Sequence, residues 1–465
     1  MEILKADLVV IGSGPAGQKA AIQAAKSGKS VIVIEKGPFP GGGSLNSGTI
    51  PSKSLREAIL DLTRFNEKSF YGKERLVRDV SINDLNHRLQ CVLEEERALI
   101  KRQFEKNEIL LIQGSARIEN KSCVLVVDSD KQMTHRLNVQ VIMIATGSKP
   151  RNPINVPFDD KVILDSTRLL SIDKLPNTMI VLGGGIIGSE YASFFAALGV
   201  RVTVVDKKGS MLHLLDKEIG THLQKALAGI GLEFAGNKVA KEIVRSGDKA
   251  VVCFEDGTSR EADVLLYAMG RTASVDDLGL ENINITLDAG GYILVNPFFQ
   301  TVVPNIYAVG DVIGGPSLAS TSMEQGRLAA RHAFGYLSHT FPTSYPTGIY
   351  TIPEISSIGY TEAELTDLGF RYEVGRAYYY ELARSHITGS DVGLFKILFH
   401  SETLQILGIH IIGRSATELI HIGQVAMSFK ASIDYFIDQV FNYPTFAEGY
   451  RVAALNGYNK IKYLK

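Results

Sequence analysis

The chain has 465 residues, too many for one hydrophobic core, so about two to four domains are expected. Hydrophobic residues make up 45% and charged residues 21%, the balance of an ordinary globular protein. A formal net charge of −1 leaves no basic surplus, so no nucleic acid and no membrane surface is expected as a partner.

The opening "MEILKADLVVIGSG" runs almost at once into a strand, with Lys5 and Asp7 interrupting any apolar run. No secretory leader is expected, and no stretch reaches the roughly eighteen apolar residues of a membrane span. Cys91, Cys123 and Cys253 are scattered, without CxxC or metal-ligand spacing. Each is read as a small buried apolar residue in a reducing compartment, with no metal, and the expected location is cytoplasmic.

Residues 6–37, "ADLVVIGSGPAGQKAAIQAAKSGKSVIVIEKG", read as strand, glycine turn, helix, strand. Gly12 allows a tight turn, Gly14 lets the backbone approach a pyrophosphate, and Gly17 lets helix and sheet pack closely. The free N–H groups of the helix N-terminus favour phosphate. Glu35 ends the second strand about twenty residues on, where a carboxylate binds ribose hydroxyls. Next comes "GGGSLNSGTIPSKSLR", residues 41–56, a glycine lead-in to a helix. Residues 83–106 carry helical apolar spacing at Leu85, Leu89, Val92 and Leu93, with Leu99 and Ile100 further on, and predict a long amphipathic helix. Residues 138–151, "NVQVIMIATGSKPR", are a buried strand ending in Ala145-Thr146-Gly147.

The first unit then recurs. "NTMIVLGGGIIGSEYASFFAALGVRVTVVDKKG" holds Gly183, Gly185 and Gly188, a helix, and a strand ending at Asp206. Two units imply two dinucleotides, or one dinucleotide and a degenerate copy. Asp206 suits the ribose hydroxyls of NAD and repels the 2′-phosphate of NADP, whereas Lys207 and Lys208 neutralise that phosphate or are a solvated turn. The choice between NAD and NADP stays open. "ADVLLYAMGRT" (262–272) is a second return strand, ending in Ala268-Met269-Gly270-Arg271. In "NIYAVGD" Asp311 ends a strand, as a ribityl ligand or a turn residue, before a helix from about Ala319. After about Phe341 the pattern becomes α+β without a glycine fingerprint. "YTIPEISSIGYT", "GLFKILFH" and "QILGIHIIG" read as strands and "SATELIHIGQVAMSF" as a helix, apolar enough for a subunit interface.

Taken together, Gly12-x-Gly14-x-x-Gly17, the loop 41–56, Ala145-Thr146-Gly147, Gly183-x-Gly185-x-x-Gly188 and Tyr307-Ala-Val-Gly310-Asp311 resemble the flavoprotein disulfide reductases over essentially the whole chain. The resemblance implies an α/β fold with two nested Rossmann-like domains and a C-terminal α+β dimerisation domain. The FAD-binding domain is expected at residues 1–150 and 271–340, the NAD(P)-binding domain at 151–270 and the interface domain at 341–465. FAD contacts implied are Gly12, Ser13, Gly14, Pro15, Ala16, Gly17, Glu35, Lys36, Gly43, Ser44, Thr49, Lys53, Ala116, Thr146, Gly147, Gly310, Asp311 and Ala319. Nicotinamide dinucleotide contacts implied are Gly183, Gly185, Ile187, Gly188, Glu190, Asp206, Lys207 and Lys208, and Gly270 and Arg271 are implied cofactor contacts at the return strand. Lys53 and Glu190 are the implied catalytic pair. The lysine supports negative charge near flavin N5, while the glutamate holds the lysine and shapes the nicotinamide pocket. Without the resemblance, Lys53 reads as a helix-surface cation.

The chain departs from the family on the thiol side. A disulfide reductase needs two thiols and a base on the facing subunit, usually a histidine before Pro-Thr. Here Ser44 and Thr49 stand at the cysteine positions, and Tyr443 precedes Pro444-Thr445, with Glu448 kept. A tyrosine with a pKa of about 10 is a poor base at neutral pH, so Tyr443 and Glu448 also read as interface packing. The nicotinamide half is intact, and several later segments are similar to the members that exchange hydride between nicotinamide dinucleotides. The expected reaction is FAD-dependent hydride transfer from NADPH to NAD⁺, the two nucleotides taking turns at one place in a homodimer or larger homo-oligomer. Rival expectations are an NAD(P)H dehydrogenase serving a quinone or dye, an atypical dihydrolipoyl dehydrogenase, and a non-enzymatic redox-sensing flavoprotein dimer.

Overall fold

The structure, a computed structural model, describes residues 1–63, 82–336 and 341–462. The last residues of the expected 271–340 and 341–465 domains therefore lie outside the described residues. The chain folds into two compact units, each built from three separate stretches. Residues 1–54, 86–151 and 270–342 form the first, and residues 55–85, 152–269 and 343–465 the second.

The first unit is organised by a seven-stranded sheet. Glu2–Ile11 lies at its centre, parallel to Val31–Glu35 on one side and Met133–Ile144 on the other. Leu110–Gln113 and Ile306–Ala308 extend the parallel pairing, and an antiparallel wing of Cys123–Val127 and Ser115–Asn120 follows. The apolar run of the first strand is continuous because both its faces are buried. Leu8 and Val10 pack with Ala16, Ala20 and Ala24, whereas Val9 and Ile11 pack with Ile118, Val124 and Ile306. The helix Pro15–Lys26 lies close against Ala319–Ala333, where a Cβ on Gly326 would stand 2.1 Å from the Ala16 carbonyl oxygen.

The long helix is present as Ile82–Lys106. Its inward residues include Leu89, Leu93, Ile100 and Phe104, but Leu99 is 39% exposed and Val92 only half-buried. Counted from Leu89, the inward positions fall at i+4, i+11 and i+15, which selects Ile100 and Phe104 over Leu99, about 100° from Ile100 around the helix. Cys123 is buried, but Cys253 is half-buried and Cys91 exposed, so the expectation of three buried cysteines is corrected. Cys91 falls between Leu89 and Leu93, on the helix face turned from the core.

The second unit holds a five-stranded parallel sheet ordered Glu233–Ala235, Arg201–Val205, Thr178–Leu182, Val264–Tyr267, Ile163–Asp165. It also holds a three-stranded antiparallel sheet, Ala240–Ser246, Lys249–Phe254 and Ser259–Ala262, which the sequence pattern did not reveal. Its C-terminal part is a five-stranded antiparallel sheet backed by helices Ala416–Ser428 and Glu448–Lys462. Two of the expected strands are Leu394–His400 and Ile406–Ile412. The third is confined to Ile355–Gly359, and Thr347–Ile349 and Tyr372–Tyr378 complete the sheet as two unforeseen edge strands.

Candidate functional site

The two glycine motifs fold into turns of matching local geometry. Gly12 and Gly183 take φ of 104° and 107°, closed to most side chains. A Cβ on Gly17 would lie 2.0 Å from the Gly12 carbonyl oxygen, and one on Gly188 would lie 1.9 Å from that of Gly183. Third glycines are thus required for helix and turn to touch. Pro15–Lys26 and Ile186–Ala197 start at Gly14 and Gly185, with no side chain capping either N-terminus. Among the described residues nothing lies within 4 Å of a Cβ built on Gly185, which leaves room for a phosphate group to approach the chain there. The turns and uncapped N–H groups fit a pyrophosphate in each unit.

The strand-end acids close the turns in the same way. Glu35 Oε2 accepts Ser13 N–H at 3.0 Å and the Ser13 hydroxyl at 2.5 Å, and its Oε1 accepts Gly37 N–H at 2.7 Å. Asp206 Oδ2 accepts Gly184 N–H at 2.6 Å and its Oδ1 accepts Lys208 N–H at 2.7 Å. Each carboxylate is therefore held in register with its turn. Lys36, Lys207 and Lys208 follow the acids as exposed cations.

In the first unit, fully buried Ser13 also accepts Gly41 N–H at 2.9 Å, which ties the glycine turn to the start of the 41–56 loop. Ser44 sits in the short helix Gly42–Asn46, Gly43 beside it is exposed, and exposed Thr49 opens the helix Thr49–Thr63. The Arg97 guanidinium stacks 3.8 Å over Phe39 and donates to Asn46 Oδ1 at 2.9 Å, bracing the loop. Lys53 is half-buried and its ammonium donates to Ser52 Oγ at 3.3 Å. Thr146 Oγ1 is buried with no hydrogen-bond partner among the described residues, a polar atom that fits a bound polar ligand at this edge. Gly147 follows it at φ 71°.

Asp311 lies in the turn Gly310–Ile313, where Ser148 Oγ donates to its Oδ2 at 2.6 Å and Arg271 Nε donates to Ser148 Oγ at 2.8 Å. The structure thus gathers Arg271 with Asp311 in the first unit, together with Gly270. Gln325, on the helix that Ala319 opens, accepts Gly310 N–H at 2.8 Å and fixes that turn. Ala116 is half-buried in the Ser115–Asn120 strand. In the second unit Glu190 is 3% exposed within Ile186–Ala197, and its Oε1 accepts Tyr350 N–H at 2.8 Å. Half-buried Ile187 stands in the first turn of that helix. Tyr443 is 72% exposed, and Glu448 begins the last helix.

Sequence reasoning missed Gln325 and the double role of Ser13. A glutamine in a helix face of small residues, and a serine inside a glycine turn, were the available signals.

A fold with two such turns, two clamped strand-end acids and no thiol in the intervening loop defines a dinucleotide-binding oxidoreductase. Residues 6–326 match the pyridine nucleotide-disulphide oxidoreductases, residues 345–454 match the dimerisation domain of the same proteins, and the chain belongs to that family. The family binds FAD and nicotinamide dinucleotides. The chain is 45% identical over 459 residues to the soluble pyridine nucleotide transhydrogenase of Mycobacterium bovis (strain BCG / Pasteur 1173P2), covering 98% of each chain. It is 43% identical over 460 residues, again 98% of each, to the protein of the same name from Pectobacterium atrosepticum. Among solved structures, LpdA from Mycobacterium tuberculosis matches with a TM-score of 0.89 at 26% identity, covering 97% of this chain and 99% of that one. The HOCl-induced flavoprotein disulfide reductase RclA from Escherichia coli matches with a TM-score of 0.87 at 25% identity and the same coverage. No helix among the described residues is long and apolar enough to cross a membrane.

Proposed function

We propose that the chain is an FAD-dependent transhydrogenase that moves hydride between NADPH and NAD⁺ without a redox-active disulfide. The observation that carries this is the pairing of two equally well-formed dinucleotide turns with a loop that bears Ser44 and Thr49 in place of thiols. Full-length relatives named as transhydrogenases support the same reading. When bound, FAD would supply the two-electron hydride chemistry that links the two nucleotides.

The residues have the following roles on this reading. Gly12, Gly14, Gly17 and the helix N-terminus at Pro15 take the FAD pyrophosphate, Glu35 the ribose, and Asp311 the ribityl chain. Lys53 supplies the cation beside the flavin ring. Gly183, Gly185, Gly188 and Ile187 form the nicotinamide dinucleotide turn. Glu190, held by Tyr350 N–H, shapes the pocket, and Asp206 with Lys207 and Lys208 takes the adenosine end of either nucleotide. No proton has to reach a substrate, so Tyr443 is not required as a base. FAD- and NAD(P)-binding domains at 1–150 with 271–340 and at 151–270, and an interface domain at 341–465, belong to this proposal. So do a homodimer, a cytoplasmic setting, and the absence of nucleic-acid or membrane partners.

Steady-state kinetics test it. With NADPH varied at several fixed thio-NAD⁺ concentrations, the expected double-reciprocal lines are parallel. Intersecting lines exclude the alternating use of one place, and no thio-NADH at all excludes the activity in favour of another acceptor.

A further inference from the structure

Lys396 lies in the strand Leu394–His400, between buried Phe395 and Ile397, and is only 1% exposed. Its ammonium contacts Asp216 Oδ1 at 2.7 Å, Glu218 Oε2 at 3.0 Å and Glu362 Oε1 at 3.1 Å. Arg376, from Tyr372–Tyr378, donates to Glu218 Oε1 at 2.8 Å, giving two cations among three carboxylates. Burial disfavours the ammonium, but the hydrogen bond and charge of Asp216 and then Glu218 outweigh it and raise its pKa. An apolar side chain of similar volume is often as stabilising as a buried ion pair. A cation at the N-terminus of the helix Lys217–Ala228 also opposes the helix dipole. The network's specific product is therefore the position of Asp216, which caps that helix through Glu218 N–H at 3.0 Å.

Asp216 ends the loop that Asp206 begins. The loop leaves the second glycine turn through the Gly184–Asp206–Lys208 clamp. Midway, Leu212 N–H donates to the Gly184 carbonyl at 2.8 Å, with Leu212 in the left-handed region at φ 47°. A leucine stays there only where its surroundings over-determine it. Lys207, Lys208, Ser210 and His213 are left exposed along a loop held at its start, middle and end. The end anchor comes from the C-terminal sheet.

We propose that Lys396 is a positioning residue for nucleotide selection: through Asp216 it holds the loop 207–215 so that its exposed cationic edge meets the phosphorylated adenosine end of NADP(H). This rests on reading Asp206, Lys207 and Lys208 as the adenosine end of the second dinucleotide turn.

The test uses the FAD-loaded full chain and 2′,5′-ADP as probe, measured by calorimetry, together with the rate of flavin bleaching at saturating NADPH. Lys396→Met is expected to weaken 2′,5′-ADP about tenfold while the saturated bleaching rate changes less than about twofold, and adding Asp216→Asn is expected to weaken it no further. The milder Glu362→Gln, at the partly exposed side of the network, is expected to weaken it about threefold and serves if the lysine variant does not fold. Unchanged 2′,5′-ADP affinity beside a lowered melting temperature overturns the proposal, because the network is then only structural. Unchanged affinity in Lys207→Ala/Lys208→Ala overturns instead the parent reading of the loop.

Discussion

The two glycine turns share their geometry and differ in what surrounds them. Both place an acid against the backbone N–H after the first glycine and against the N–H two residues beyond the acid itself. In the first turn Ser13 adds a hydroxyl that bonds Glu35 and Gly41 together, so the turn is sewn to its own neighbouring loop. In the second, Gly184 has no side chain, and the following loop is held by Leu212 and by Asp216–Lys396 from the C-terminal sheet. One turn is enclosed by local ties, as suits a resident cofactor. The other presents an exposed, braced edge, as suits ligands that come and go.

The largest expected effect breaks the comparison at its shared element. Gly17→Ala and Gly188→Ala both force a methyl onto a carbonyl, at 2.0 and 1.9 Å. Gly17→Ala is expected to purify without FAD, read from the absorbance ratio of the purified protein. Gly188→Ala is expected to stay yellow but to lose NADPH-driven bleaching. Next comes chemistry: Lys53→Met is expected to slow saturated bleaching by about 10²-fold with FAD content intact, the scale of losing one electrostatic stabiliser. Ser13→Ala removes two local ties worth about 1 kcal/mol each, so FAD dissociation is expected to rise roughly tenfold or more. Ser44→Ala is expected to change exchange turnover less than about twofold, since no thiol step remains to be lost.

A pH profile sharpens the contrast from the other side. Burial holds the His410 pKa below its usual value, against the opposing charge of Asp216, and Lys396 nearby reinforces the lowering; the Tyr360 carbonyl and Glu364 act upward. Despite burial, Lys396 lowers Asp216, and Arg376 with Lys396 lowers Glu218. All three groups bind fewer protons folded than unfolded. Their stabilisation is complete above about pH 6.5 and is lost as pH falls, first through His410 and then through the carboxylates. Melting temperature is expected to drop below that pH, with His410→Gln flattening the first part of the fall.

The turns were legible in the sequence because their determinants are local. Glycines at fixed offsets and an acid about twenty residues on specify the geometry almost residue by residue. The ties around them were not legible. Asp216 and Lys396 are 180 residues apart, and only the fold brings them together. Lys396 did leave a trace, a charge inside the apolar run "LFKILFH", which a strand buried on both faces has no reason to carry unless it is paired. Leu99 and Cys91 show the opposite limit. Composition marks them as core candidates, and helical phase turns them outward.

The most direct measurement is an anaerobic two-step titration of the purified yellow protein, followed at the flavin absorbance band. One equivalent of NADPH is expected to bleach the band, and subsequent thio-NAD⁺ to restore it with stoichiometric thio-NADH. A band that bleaches but is not restored by thio-NAD⁺ contradicts hydride exchange between nucleotides.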